Sequence, residues 1–263
     1  MIKTTLILGA IAGDIIGSVF EFNNTKRTDF DLFCPKSSFT DDSVLTVAAM
    51  DALSHQKDYA ESYLAFGKNY PRRGYGGHFR QWLRAEKPEP PYNSWGNGSA
   101  MRASPVGWYG RNMDEVMAEA RKSAEVTHNH PEGIKGAQAV ASAVYLARTG
   151  SSKDEIRQFI TDTFQYDLAR KLDDIRPTYG FDVSCQGSVP EAIIAFLEST
   201  DFESAIRLAI SIGGDSDTIA CITGGIAEAY YKGVPVDIVD CVAALLPDEF
   251  MRIIEDFSLK YRN

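Results

Sequence analysis

Hydrophobic positions along this chain recur at helical spacing far more often than in alternation. Near the end of the chain Pro247 is a helix-start signal, and Phe250, Ile253, Ile254 and Phe257 then fall on one face. The same period predicts helices over 114–124, 152–164, 190–197 and 202–212. A first helix is predicted from the apolar run at Leu6, which Asp14 interrupts and which ends near Glu21. Alternating β-branched runs are few, and the pattern implies an all-α fold of roughly ten or more helices. Residues 84–98 and 172–190, rich in Pro and Gly, read as loops within one compact domain spanning 1–263. No repeat of solenoid length is present.

Several predicted helices carry small residues. Gly9, Gly13 and Gly17 share one face at i, i+4 and i+8, and Gly133, Gly136 and Ala137, then Gly224, Gly225 and Ala227, form similar groups. An interior Gly costs about 1 kcal/mol against Ala, which close helix–helix approach offsets. Tight packing is the reading this pattern carries, and it would also draw helix ends together.

Two acidic clusters stand against this apolar background. Thr40-Asp41-Asp42-Ser43 precedes an apolar run from Val44, and Gly213-Gly214-Asp215-Ser216-Asp217-Thr218 precedes another from Ile219. Each is placed as a helix N-cap would be, where the dipole favours carboxylates. A cap needs one oxygen, however, and each cluster offers at least three. If the four aspartates converge, two carboxylates about 4 Å apart oppose each other by about 4 kcal/mol at an effective dielectric near 20. Protons or a cation must relieve that. Oxygen-only ligation selects Mg²⁺, Mn²⁺ or Ca²⁺ over zinc, and two clusters suit two ions sharing a carboxylate.

Three further segments are candidates. Trp95-Gly96-Asn97-Gly98-Ser99-Ala100-Met101-Arg102 reads as a glycine loop entering a helix, which lets a backbone approach an anion, with Arg102 adding charge. Thr127-His128-Asn129-His130-Pro131 marks a helix start, and His128 fits a hydrogen-bonding or stacking role better than metal ligation. Glu21 is a carboxylate at the predicted end of the first helix, where the dipole disfavours it. No nucleophile elbow or Walker A sequence occurs. The Asp41-Asp42 pair also lacks the DDxxD spacing of a diphosphate lyase.

The net charge of −9 and pI near 5.0 argue against a nucleic-acid-coating surface. Four scattered cysteines with no CxxC spacing suit a reduced, cytoplasmic compartment. Met1-Ile2-Lys3 followed by apolar residues 6–12 is only weakly like a signal peptide: Asp14 breaks the run and no cleavage site follows. No stretch reaches the roughly 18 apolar residues of a membrane span.

Taken in order, Gly9-Ala-Ile-Ala-Gly-Asp-Ile-Ile-Gly, Phe39-Thr-Asp-Asp-Ser, Gly96-Asn-Gly-Ser-Ala-Met-Arg, Thr127-His128 and Gly213-Gly-Asp-Ser-Asp-Thr resemble the ADP-ribosylglycohydrolase family over nearly the whole chain. The resemblance implies a binuclear Mg²⁺ or Mn²⁺ centre held by Thr40, Asp41, Asp42, Asp215, Asp217 and Thr218. It implies that Trp95 stacks on the adenine side, and that Gly96, Asn97, Gly98 and Ser99 meet the phosphates or nearby ribose. Met101 and His128 fall among the implied substrate contacts. Glu21 or Asp42 would stabilise charge or move a proton. The substrate would be an ADP-ribosylated protein or another ADP-ribosyl adduct, a nucleic-acid adduct included, acted on by a monomer. One departure matters: many relatives carry an Asp-Ile-Gly-like segment where this chain has Arg73-Gly74-Tyr75-Gly76-Gly77-His78-Phe79, without an acid. That leaves serine-linked, nucleobase-linked and free ADP-ribose derivatives open beside arginine adducts. A non-catalytic ADP-ribose reader on the same scaffold is the alternative, weakened because every implied ligand is an oxygen donor.

Overall fold

The computed structural model describes residues 6–262, so the Met1-Ile2-Lys3 segment lies outside the described residues. Among the described residues the chain is all-α, with fourteen α-helices and no strand. They are α1 (Gly9–Gly17), α2 (Asp41–His55), α3 (Tyr59–Asn69), α4 (Gly77–Trp82), α5 (Ser104–Tyr109), α6 (Met113–Glu125) and α7 (Pro131–Arg148). Then follow α8 (Lys153–Phe164), α9 (Leu172–Ile175), α10 (Cys185–Glu198), α11 (Phe202–Ser211), α12 (Ser216–Tyr231), α13 (Val236–Leu245) and α14 (Asp248–Tyr261). No helix among them is long and apolar enough to cross a membrane.

Local signals set most boundaries. Ser152 and Glu155 form a capping box that starts α8, and Asp201 with Ser204 does the same for α11. Asn112 caps α6 by accepting from the backbone N–H of Glu115. Pro131 occupies the first position of α7, and α14 begins directly after Pro247. The expected start at Pro190 is displaced: α10 begins at Cys185, because the Ser184 hydroxyl accepts from Gly187 N at 3.0 Å and nucleates the helix a turn earlier. Pro190 is carried inside, where burial of Val189, Ile193, Ile194 and Phe196 offsets its missing donor. The 172–190 segment is accordingly part helix, with the short α9 at its start.

α12 is the axis of the fold. Every residue from Ser216 to Ala229 is buried, the expected state of a helix apolar on all sides. α1 lies against it along the glycine stripe. A Cβ on Gly13 would meet the Ala220 carbonyl oxygen at 2.0 Å, and one on Gly17 would lie 2.6 Å from the Asp217 Cα. Only glycine permits this approach, and it draws the C-terminal end of α1 onto the N-terminal end of α12. At the other end of the seam, fully buried Glu228 accepts from Leu8 N at 3.0 Å and Gly9 N at 2.6 Å, and pairs with Arg262 at 2.6 Å. This carboxylate supplies the N-terminal cap that α1 lacks from its own sequence.

Candidate metal centre and cleft

The starts of α2 and α12 meet the end of α1 at the floor of a cleft of about 680 Å³. Asp14, the one acid in α1, is fully buried there. Its Oδ2 accepts from Thr40 N at 2.9 Å, from Ser43 N at 3.1 Å and from the Ser43 hydroxyl. Its Oδ1 accepts from Thr40 Oγ1 at 2.6 Å. One carboxylate of α1 thus fixes the first turn of α2.

Carboxylate oxygens of Asp14, Asp42 and Asp217 lie within 4.8 Å of one another, and so do those of Glu21, Asp215 and Asp217. Asp217 belongs to both groups. Asp42 Oδ2 receives long hydrogen bonds from Thr218 Oγ1 (3.3 Å) and Thr40 Oγ1 (3.4 Å), whereas its Oδ1 is buried with no partner. Asp215 accepts from Asn97 Nδ2 at 2.7 Å, and that amide also donates to Ser188 Oγ at 3.0 Å. Asp41 and Thr218 line the same cleft.

The electrostatics follow from this crowding. Burial drives the Asp41, Asp42 and Asp217 carboxyls well above the ordinary aspartate range, and neighbouring carboxylates push them further. Asp14 and Asp215 are raised by burial as well, partly opposed by their hydrogen bonds. Glu21 is pushed up to about 7, first by burial and then by Asp215 and Asp14. It lies in the turn beyond α1, not at the helix end expected from the pattern, so burial and like charge, rather than the helix dipole, perturb it. A buried set of oxygen donors with an orphaned Asp42 oxygen fits hard divalent cations.

The upper cleft is built from the glycine loop. Trp95 stands half exposed at the mouth. Asn97 N donates to Val183 O at 2.7 Å and Cys185 N to Trp95 O at 3.0 Å, which pins the loop to the entry of α10. A single 3-10 turn at Asn97–Ser99 replaces the helix expected to follow, and the next α-helix waits until Ser104. Gly96, Gly98 and Met101 line the cleft. His128 lies across the loop, its Nε2 3.1 Å from where a Gly98 Cβ would be, while Thr127 Oγ1 meets its Nδ1 at 2.8 Å. Burial, then Arg102, holds His128 well below the usual imidazole range, so the ring is neutral.

Two side chains of this motif are engaged within the protein. The Ser99 hydroxyl is buried and donates to Gly133 O at 2.7 Å, at the start of α7. Arg102, expected to add charge to an anion site, is fully buried, with its guanidinium 4.1 Å from the Tyr63 ring centre and Nη2 bonded to Ser123 O and Thr127 Oγ1. It braces the Thr127-His128 turn. In the sequence Asp14 reads only as a break in an apolar run. An acid inside a helix otherwise made of small and apolar residues was the available signal. The pattern likewise assigns no role to Tyr75, whose buried hydroxyl lacks a partner at the cleft wall.

The chain resembles known proteins along its length. It is 28% identical over 304 residues to ADP-ribosylhydrolase ARH3 of Bos taurus, covering 86% of this chain and 83% of that protein. It is 26% identical over 276 residues to ADP-ribosylarginine hydrolase Tri1 of Pseudomonas putida (strain GB-1), covering 90% of this chain and 73% of that one. A solved structure titled an ADP-ribosylglycohydrolase-related protein complex superposes with a TM-score of 0.75 over 98% of this chain and 96% of its own, at 20% identity, and so shares the fold. The ADP-ribosylglycohydrolase family model matches residues 4–263. With the acidic motifs, the glycine loop and the helical scaffold all in place, the chain belongs to the ADP-ribosylglycohydrolase family.

Proposed function

We propose that this chain is a hydrolase that splits the bond between the anomeric carbon of ADP-ribose and the group it modifies, with two Mg²⁺ or Mn²⁺ ions held on the cleft floor. The observation that carries the reading is the sharing of Asp217 by two carboxylate groups, beside an Asp42 oxygen with no partner. Thr40, Asp41, Asp42, Asp215, Asp217 and Thr218 would hold the ions, with Asp14 fixing Thr40 and the first turn of α2. When bound, such ions supply positive charge that orients ribose hydroxyls and makes nearby water more acidic.

The chain's own residues do the rest. Asn97 holds Asp215 in one orientation through its amide. Trp95, at the mouth, offers a face for the adenine, and Gly96 and Gly98 let the diphosphate approach the backbone. Ser99 contributes through its backbone, since its hydroxyl serves α7. Neutral His128 hydrogen-bonds the ribose or phosphate, beside Met101. Cleavage develops oxocarbenium-like charge at the anomeric carbon. Glu21, with a carboxyl near 7, can take a proton from the attacking water or return one to the leaving group at neutral pH. Asp42 adds negative charge beneath the sugar.

The leaving group faces the wall from Gly74 to His78, which presents Tyr75 and no carboxylate of its own. Arginine-, serine- and nucleobase-linked adducts, each assayed with Mg²⁺ and with Mn²⁺, identify the linkage. The same reading has the chain act as one domain and as a monomer, in a reducing cytoplasm that suits its four free cysteines. Release of ADP-ribose from at least one adduct, lost in Asp217→Asn with the helical circular-dichroism signal intact, is the expected result. Tight ADP-ribose binding without turnover of any adduct would instead mark a reader.

A further inference from the structure

The segment between α1 and α2 makes a set of hydrogen bonds to the second acidic loop that the proposed chemistry does not use. Asn24 Nδ2 lies within hydrogen-bonding distance of three carbonyls: Phe20 O at 2.6 Å, Gly214 O at 2.9 Å and Glu21 O at 3.0 Å. Gly214 N donates back to Asn24 Oδ1 at 2.8 Å. The side-chain amide therefore grips the Gly214 residue through both its donor and its acceptor, while closing the turn that carries Glu21. Two residues on, Lys26 Nζ donates to Ile212 O at 2.5 Å and Tyr179 O at 2.8 Å. Its ammonium sits at the C-terminal end of α11, where the helix dipole favours a cation.

What it grips is a loop whose backbone favours glycine. Gly213 and Gly214 both have left-handed backbone, with φ of 77° and 74°. A Cβ on Gly213 would lie 2.9 Å from Lys26 Nζ, and one on Gly214 2.5 Å from Tyr179 Cε1. Both residues are glycine, and the loop is held from outside, directly before Asp215 and Asp217.

We propose that Asn24 is a positioning residue: it clasps the Glu21 turn to the Gly213-Gly214 loop and so fixes Glu21 and Asp215 relative to each other, with Lys26 as the second fastening. The inference rests on the reading of the cleft floor as a cation site. Asn24 is exposed, so its loss frees the turn and the loop to drift without opening the core.

The test is a Mn²⁺ titration of the whole chain by calorimetry, together with kcat and KM for an ADP-ribosylated substrate, in wild type, Asn24→Ala, Lys26→Met and the neighbouring control Asn23→Ala. Losing the clasp removes the paired hydrogen bonds to Gly214, each worth a few-fold, and a longer one to Ser216 Oγ at 3.4 Å, so Asn24→Ala is expected to bind Mn²⁺ about tenfold more weakly. Its kcat at saturating Mn²⁺ falls while KM stays close to wild type, and its cation-free melting temperature hardly moves. Lys26→Met shifts the same way by less, and Asn23→Ala matches wild type. Wild type that binds Mn²⁺ and turns over, with Asn24→Ala equal to it in both, overturns the clasp alone. A variant that only melts lower before Mn²⁺ is added has lost a structural bond, which also overturns it. Wild type that neither binds Mn²⁺ nor turns over any adduct removes the cation site itself, and the clasp with it.

Discussion

The α1–α12 seam buries carboxylates at both ends, and the two ends behave differently. At the start of α1, Glu228 is fully buried and fully used: one oxygen takes two backbone N–H groups and the other takes Arg262. Burial raises its carboxyl, and Arg262 with the two amides opposes that shift. At the far end, the charges acting on Asp42 and Asp217 are other carboxylates, and one Asp42 oxygen has nothing to accept from. Burial of an acid is thus no mark of function in itself. The Glu228 end closes the fold, while the Asp42 end is a deficit of positive charge that a cation would fill.

Substitutions should therefore act with opposite signs at the two ends. Glu228→Ala strands Arg262 and two backbone donors and should cost about 3–5 kcal/mol, read as a lower denaturation midpoint with or without Mn²⁺. Equal stability of this variant and wild type would erase the contrast. Asp217→Asn should reduce ADP-ribose release by roughly a hundredfold or more while raising the cation-free melting temperature, because it removes repulsion shared by both groups. A cation-free melting temperature below wild type would place Asp217 with Glu228 as a structural acid.

Cation dependence sharpens the comparison. Mn²⁺ at a hundred times its dissociation constant should stabilise wild type by about 2.7 kcal/mol per site, and a chelator should reverse it. Glu228→Ala should keep that increment and Asp217→Asn should lose most of it. The pH dependence has a definite sign. Glu21 titrates near 7 in the folded chain against an ordinary 4.5, so the folded state holds its proton longer than the unfolded state. Stability contributed by this group is complete below about 4.5 and is lost as pH rises to about 7; Asp41, Asp42 and Asp217 shift in the same direction. Cation-free protein should accordingly melt lower at pH 8 than at pH 5, whereas Mn²⁺ affinity should rise over that range as protons leave the site. The smallest effect is expected at the mouth: Trp95→Ala should raise KM about tenfold through lost stacking, with kcat nearly unchanged.

How much of this was legible before folding depended on where each partner lies in sequence. Helical period is a local signal, so α8 and α11 could be read to within a residue or so at both ends, as could the start of α14 at Pro247 and the two acidic helix starts. The glycine stripe announced a close helix contact, but α12 as its partner is a long-range fact. Asp14 carried a local signal, an acid in an apolar helix, but its role was hidden because its partners, Thr40 and Ser43, are 26 and 29 residues away. Ser99 and Arg102 lie in a motif that invites ligand contact, yet the Ser99 hydroxyl is taken by α7 and the Arg102 guanidinium rests on the Tyr63 ring at the buried edge of the cleft. A motif gives the backbone's place at the cleft; which side chains face inward is decided by packing. The start of α10 was missed because a proline marks a helix start only when no stronger cap precedes it, and Ser184 does.

Cations occupying the carboxylate groups around Asp217 are what the proposed chemistry requires. A crystal grown with Mn²⁺ and measured at the manganese absorption edge tests this directly. The predicted result is two anomalous peaks, one beside Asp42 and Asp217 and one beside Asp215 and Asp217, both lost in Asp217→Asn. A map of the same crystal with ordered side chains and no anomalous density at either position would contradict it.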